Sequence, residues 1–402
     1  MKVPEIRIKG FKGEWKHSLL QDCLLINNTK NKGCKYGKEQ VLSVSDEFGV
    51  VNQIKHLGRS YAGASVENYK IIHTGQIVYT KSPLREKPYG IIKTNKEETG
   101  IVSVLYAIYD AAEDVSPDYI ERYFEPGFRI NNYLLPLICK GAKNTINISD
   151  ENALKGYIDI PDYDEQIAIA EFFKSLDCII SETTKKIEKL KQIKAASLVS
   201  MFPQKGETKP HVRFKGFDED YSIMEASEIF KSFDERNHPE LPVLSACQDM
   251  RGMAPRSVSG YDIFHDKTNE VTYKRVLPGQ FVIHLRSFQG GFAHSSMDGI
   301  CSPAYTVFGF KEENKHDDYY WKYIFMSKEF IERLKLITYG IRDGRSISFK
   351  EFVEMDFVFP SYKEQKQVSI YLRSLDKQIT LEEQKLEKLK RIKSACLDKM
   401  FV

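Results

Sequence analysis

Long apolar runs, paired cysteines and nucleotide-binding glycine loops are all missing from this 402-residue chain. Its longest apolar stretches, Ile101 to Ile108 and Tyr133 to Cys139, are far too short to span a bilayer. The opening MKVPEIRIKGF has no apolar core of the signal-peptide kind, so secretion is not expected. Cys23, Cys34, Cys139, Cys178, Cys247, Cys301 and Cys396 are odd in number, scattered, and form no CxxC pair. That usage points to a reducing cytoplasm and away from structural zinc. Neither GxGxxG nor GxxxxGK[ST] occurs, which removes the usual signs of dinucleotide or P-loop binding. The histidines are dispersed without HExxH, and the Asn/Asp-Pro-Pro-aromatic tetrapeptide of amino-methyltransferases is absent. Net charge is only +3, so any nucleic-acid surface must be a local patch.

What the chain does have is repetition. The stretch from Pro161 to Phe202 returns from Pro360 to Phe401, with roughly 19 positions identical at one fixed offset. The amino-terminal PEIRIKGF (Pro4 to Phe11) is answered by PHVRFKGF (Pro210 to Phe217), and Trp15 by Tyr221. YKIIHTGQIVYT (Tyr69 to Thr80) is answered by YKRVLPGQFVIH (Tyr273 to His284), each reading as a strand interrupted by a Gly-Gln turn. GAKNTINIS (Gly141 to Ser149) parallels GIRDGRSIS (Gly340 to Ser348). Short helices are expected at Pro117 to Phe124 and Asp317 to Lys335, capped by Ser116 and by Asp317 or Asp318. Gln204 to Pro210 reads as the linker between halves.

The repeated stretch carries a helical seam. Leu176, Ile180, Ile187, Leu190, Ile193, Leu198 and Met201 are matched by Leu375, Ile379, Leu386, Leu389, Ile392, Leu397 and Met400. This near-heptad spacing predicts a coiled coil, with Glu182–Lys186 and Glu387–Arg391 as surface pairs. The seam slips at Lys194 and Lys393, where a strict heptad would bury a lysine. Asp164-Glu165-Gln166 reads as a helix start favoured by the dipole, not as a nuclease acid cluster. Each helix's nearest partner is the other copy, and a duplicated unit favours an antiparallel pair. About 25–35 packed residues would make a rod of roughly 40–50 Å. DNA half-sites one turn apart lie ~34–36 Å from each other.

The expected fold is therefore α+β: two globular mixed α/β domains related by pseudo-twofold symmetry, separated by two long antiparallel helices. The expected segments are 1–160, 161–203, 204–358 and 359–402.

The ordered motifs resemble the specificity subunit of type I restriction-modification systems. They are P-x-[IV]-R-[IF]-K-G-F-x-x-x-[WY], P-x-Y-x-E-Q, S-L-D-x-x-I and K-[IL]-E-K-L-K-x-I-K…M-F, each present twice. The resemblance implies two target-recognition domains, each reading half of a bipartite, asymmetric DNA site. It implies a helical spacer that docks two adenine-methylating modification subunits, with restriction subunits joining through them. It implies no catalysis and no cofactor here, S-adenosylmethionine, ATP and Mg belonging to the partner subunits.

DNA-contact candidates come from comparing the halves. After the shared strand, the first half continues with Lys81, Arg85 and Lys87, the second with Arg286, Ser287 and Gln289. Arg and Gln suit bidentate base contacts, whereas Lys81 and Lys87 suit phosphates. Lys143 and Asn144 face Arg342 and Arg345 at the second divergent position. Arg59-Ser60-Tyr61 and Arg251 to Arg256 are weaker candidates, better read as structural. Phe172, Phe173, Tyr371 and Leu372 are the candidates for partner docking, and the helix lysines Lys185, Lys186, Lys189, Lys191 and Lys194 read as a solvated face. Two other classes compete: a coiled-coil scaffold binding only proteins, and a self-sufficient nuclease or methyltransferase, for which no motif is found.

Overall fold

The computed structural model describes residues 3–63, 65–81, 83–140, 146–247, 252–256, 267–284, 291–338 and 347–402. It divides into two compact units, Met1–Thr184 with Gln384–Val402, and Lys185–Glu383. Both boundaries fall inside the long helices, so each unit holds one globular part and a half of each helix.

In the first unit, Lys16–Leu19 pairs antiparallel with Tyr157–Ile160, next to the start of the first long helix. A four-stranded antiparallel sheet follows in the order Leu24–Asn27, Tyr106–Ala111, Ile77–Thr80, Ile91–Thr94. Leu42–Ser45 forms a hairpin with Gly49–Asn52, and Lys70–Ile72 pairs with Gly100–Val102. Pro117–Phe124 is helical, with Ser116 Oγ accepting the Tyr119 N–H at 3.3 Å, as the capping pattern predicts. Trp15, Tyr79, Tyr109, Tyr119 and Phe124 share the core with Phe173 and Phe401.

The second unit repeats that order. Ser222–Glu225 pairs with Asp356–Phe359, and the sheet runs Phe230–Phe233, Thr306–Phe310, Phe281–Ile283, Phe292–His294. Asp317 caps Asp318–Met326 by accepting the Tyr320 N–H at 2.9 Å. The expected helix to Lys335 is broken at Ser327, whose Oγ accepts the Phe330 N–H and starts a second helix, Lys328–Thr338. The Gly-Gln turns are built alike. Gly75 and Gly279 sit at φ +87° and +86°, where a Cβ would be strained. Gln76 Oε1 accepts the His73 N–H and Gln280 Oε1 the Leu277 N–H, at 2.6 and 2.8 Å.

The long helices are Tyr163–Ser200 and Tyr362–Lys399. Within the first unit they run antiparallel: Phe173 stacks on Phe401 at 5.9 Å, and Asp177 Oδ1 meets Lys393 Nζ at 2.7 Å. Within the second unit Lys186 pairs with Glu382, Lys191 with Glu383 and Lys194 with Asp376, again antiparallel. The end of each helix is buried beside the globular part that does not precede it. Met400 and Phe401 enter the first core, Met201 and Phe202 the second. Arg129 fixes the first of these ends, donating to the Leu397 carbonyl at 2.8 Å and lying 4.9 Å from the Phe401 ring centre. Burying one such aromatic stabilises by roughly 1.5–3 kcal/mol.

The seam differs from the sequence expectation at one step. Ile193 and Ile392 are 37% and 41% exposed. The packed face instead runs Ile187, Leu190, Lys194, Ser197, Met201, and correspondingly Leu386, Leu389, Lys393, Cys396, Met400. The heptad does not slip; the lysines are seam residues, each answered by the aspartate of an S-L-D motif. Lys393 also reaches Glu125 at 2.6 Å, and Asp177 is held by Arg122 at 2.6 Å. In the second unit, Tyr323 Oη donates to Asp376 at 2.6 Å, in the place of Arg122. Polar groups in a seam are satisfied in one register only, so these pairs specify the alignment. The expected Glu182–Lys186 pair is not made, because Lys186 reaches across to Glu382; Glu387–Arg391 is made.

The E-Q motif is a joint. Glu165 is 2% exposed and receives Arg7 Nε and Nη2 at 2.8 and 2.7 Å. Glu364, also 2% exposed, receives Arg213 in the same bidentate way at 2.9 and 2.7 Å. Gln166 accepts the Ser116 N–H and Gln365 the Asp317 N–H, so each glutamine ties its helix to the turn before the capped helix. The acids do lie in the first turn of each helix, as the helix-start reading expects, but Glu165 and Glu364 are buried there against arginine while Asp164 stays exposed.

Lys393→Ala should cost roughly 1–3 kcal/mol in chemical unfolding, because it leaves Asp177 and Glu125 to share Arg122 as their one remaining cation. Asp177→Asn combined with Lys393→Met should cost less than the two singles added together. Acid should act in two windows. Burial pushes the Glu125 carboxyl up, but Arg122 and Lys393 hold it down at about 2. Its stabilisation is present above the ordinary carboxylate range and disappears as pH falls from about 4.5 to 2. Burial against Phe310, Trp321 and Phe359 lowers His316 to about 4. A histidine kept neutral contributes fully above pH 6.5 and loses that contribution toward pH 4. His316→Phe should flatten the melting-temperature profile in the upper window, Glu125→Gln in the lower.

Candidate DNA interface

The first candidate loop, 81–90, joins two buried strands and has a rigid stem. Thr80 pairs with Ile91, and the Tyr79 hydroxyl donates to the Tyr89 carbonyl at 2.6 Å. Gly90 has φ +98°, and a Cβ there would lie 1.9 Å from the Thr80 carbonyl oxygen, so only glycine fits. The Leu84 and Gly90 N–H groups both donate to the Lys87 carbonyl, closing the turn, and Asn131 donates to the Glu86 carbonyl.

The loop's three cations have different fates. Lys81 Nζ is 2.9 Å from Asp150, which also takes Lys70 at 2.8 Å. Burial raises the Asp150 carboxyl, but these two lysines bring it below its ordinary value. Lys87 is 9% exposed and paired with Asp46. Both lysines, read from sequence as phosphate contacts, are thus committed to carboxylates of their own unit; a buried charge needs a fixed partner. Arg85 alone is exposed, with no ion pair among the described residues. Beside the loop is a cavity of about 440 Å³, bordered by Asp46, Glu47, His56, Leu84 and Tyr106 among others.

Arg59 stacks over Tyr61 at 4.6 Å, and that tyrosine is 59% exposed. A planar cation on an exposed ring is a surface suited to nucleic acid. Arg256 is the one described member of its candidate pair, with Nε 3.4 Å from Ser245 Oγ. Lys143, Asn144, Arg251, Arg286, Ser287, Gln289, Arg342 and Arg345 lie outside the described residues.

Of the docking candidates, Phe173 and Leu372 are 0% exposed, sealed within the cores of their own units, and are withdrawn. Helical periodicity points them inward, next to Ile169 and Val368. Phe172 is 37% exposed. Tyr371 is half-buried, its hydroxyl 3.3 Å from Ser197 Oγ and its ring 5.9 Å from that of Phe214. Among the described residues no group of three His, Cys, Asp or Glu side chains could hold a metal ion, and no helix is long and apolar enough to cross a membrane.

Sequence reasoning passed over Lys30, Lys32, Lys35 and Lys38, all exposed. The available signal was four lysines within nine residues, interleaved with Gly33 and Gly37.

Residues 221–391 match the family described as type I restriction modification DNA specificity domain. Among solved structures, the type I restriction-modification S subunit from M. genitalium aligns with 100% of this chain and 99% of its own, at 12% identity and TM-score 0.53. The HsdS subunit from Thermoanaerobacter tengcongensis covers 96% of each chain at 15% identity and TM-score 0.49. Residues 221–391 are thus similar to a type I restriction-modification DNA specificity domain, and the chain as a whole shares the fold of a type I specificity (S) subunit.

Proposed function

We propose that this protein is the non-catalytic DNA-recognition subunit of a type I restriction-modification complex, acting in the cytoplasm. Each globular half reads one half of a bipartite, asymmetric DNA site. The paired long helices set the spacing between the halves and dock two adenine-methylating modification subunits, through which restriction subunits join. S-adenosylmethionine, ATP and Mg belong to those partners.

One observation carries this reading: the two units share their supporting joints and differ in what those joints present. The Gly-Gln turns, the Arg–Glu pairs and the glutamine ties are built alike. The loops that follow the shared strand are unrelated, Lys81 to Tyr89 in one half and Leu285 to Gly291 in the other. A common frame carrying different polar, basic loops is what two readers of different sequences require, since base identity is read by side chains on groove edges. A purely protein-binding scaffold gives no reason for that divergence.

Co-expression with the cognate modification subunit should yield a stable complex that retains a duplex bearing the methylated motif over a scrambled one. A complex that forms but binds both duplexes alike would favour the scaffold. Arg85→Ala should weaken binding to first-half sequence variants by ~1–3 kcal/mol and relax discrimination there, if it contacts a base edge. Arg286→Ala and Arg345→Ala should do the same for the second half. Equal losses on every sequence would mark these arginines as phosphate contacts.

A further inference from the structure

Two units built alike expose a division of labour wherever one carries a surface feature that the other cancels. Such a place lies after the first strand of each sheet. In the first unit it is a lobe made of a loop, the hairpin Leu42–Ser45 with Gly49–Asn52, the short helix Gln53–Leu57, and a return segment. Lys30, Lys32, Lys35, Lys38, Lys55 and Arg59 are all exposed on it, and none has an ion pair among the described residues. Of the lobe's acids, Asp46 is turned to Lys87; Glu39, Glu47 and Glu67 are the others.

The lobe is rigid where it bears these cations. Asn31, 0% exposed, donates to the Tyr36 and Val66 carbonyls at 2.8 and 3.2 Å and accepts the Tyr36 N–H at 3.0 Å. Asn52 caps the short helix through the Ile54 and Lys55 N–H groups and donates to the Glu39 carbonyl at 2.7 Å, which brings Lys38 and Lys55 onto one side chain's reach. Gln53 donates to Ser43 Oγ at 2.6 Å and accepts the Tyr61 N–H at 2.8 Å, which fixes the Arg59–Tyr61 stack.

The counterpart in the second unit is self-neutralised among its described residues. Arg236 pairs with Asp234, and His238 with Glu235 at 2.7 Å and Glu240 at 3.2 Å. Arg275 pairs with Asp298 at 2.7 Å and with Glu235 at 2.9 Å. Side-chain hydrogen bonds from Arg275 and His238 bring the Glu235 carboxyl below its ordinary value, and Arg236 does the same to Asp234.

We propose that the 30–61 lobe of the first half is a phosphate-backbone grip on duplex DNA, one that the described residues of its counterpart in the second half do not reproduce. The inference rests on the DNA-recognition reading above and adds an asymmetry to it. Unpaired lysines held out from a rigid frame gain little from one another but displace condensed counterions from a polyanion, each neutralised phosphate adding ~0.9 to the salt slope. Such contacts are indifferent to sequence, so the lobe would supply affinity and orientation while Arg85 and its neighbours supply discrimination.

The test uses the complete complex with modification subunits, titrated with cognate and scrambled duplexes at several salt concentrations. The variant carries Lys30→Gln, Lys32→Gln, Lys35→Gln and Lys38→Gln, with Arg59→Gln as a second variant; all five sites are exposed, and melting checks the fold. The expected result is a slope of log K against log salt that falls by about 3–4 for the lysine variant. Affinity should drop by the same factor on both duplexes, and the methylated motif should stay the same. An unchanged slope overturns the proposal. So does a loss confined to the cognate duplex, or a loss of modification-subunit binding at constant slope, which would make the lobe a protein-docking surface. Failure of the DNA-recognition reading itself would appear separately, as wild-type complex that does not distinguish the two duplexes.

Discussion

A lysine in the seam of two packed helices must find a carboxylate or leave the seam, and the rest of this structure depends on how that demand is met. Lys393 reaches Asp177 and Glu125, while Lys194 reaches Asp376. Each pair forms in one antiparallel alignment only. In that alignment Phe401 arrives among Trp15, Tyr119, Tyr123 and Phe173, and Phe202 arrives against Tyr320. A shift of one turn, about 5.4 Å, would strand a charge in each seam and withdraw an aromatic from each core. The duplication thus yields two units that each require a helix end from the other repeat.

The same economy governs the loops. Stem residues are fixed by chemistry that tolerates little change: a glycine at positive φ beneath a carbonyl, a glutamine closing a turn, an arginine held bidentately by a buried glutamate. Beyond the stems only some side chains are free of those demands. Arg85 is exposed while Lys87, two residues on, is buried against Asp46. Divergence between the halves is therefore concentrated where it alters the surface without disturbing the frame.

Much of this was legible in the residues. The repeat, the interrupted strands, the caps at Ser116 and Asp317 and the two long helices follow from local pattern, because each depends on neighbours within a few positions. The pairings across the fold did not. Periodicity alone places Ile193 and Ile392 in the seam, since an isoleucine is the better apolar choice; only the distant aspartates make Lys194 and Lys393 acceptable there. Phe173 and Leu372 look like an exposed helix face until the core they complete is assembled. Lys81 and Lys87 look like phosphate ligands until Asp150 and Asp46, 69 and 41 residues away, come to meet them. Charge in sequence shows that a group will be ionised, not which ion it will meet.

The central claim is that each globular half independently reads one half of a bipartite DNA site while the helices hold the spacing. The measurement that meets it most directly is genome-wide mapping of methylated adenines in cells carrying the complete complex. The native chain would be compared with a chimera whose residues 1–160 come from another specificity subunit of the same architecture. The account predicts a new motif in which one half changes, while the other half and the number of intervening bases stay as before. A motif unaltered by the exchange, or one altered in both halves, would contradict it.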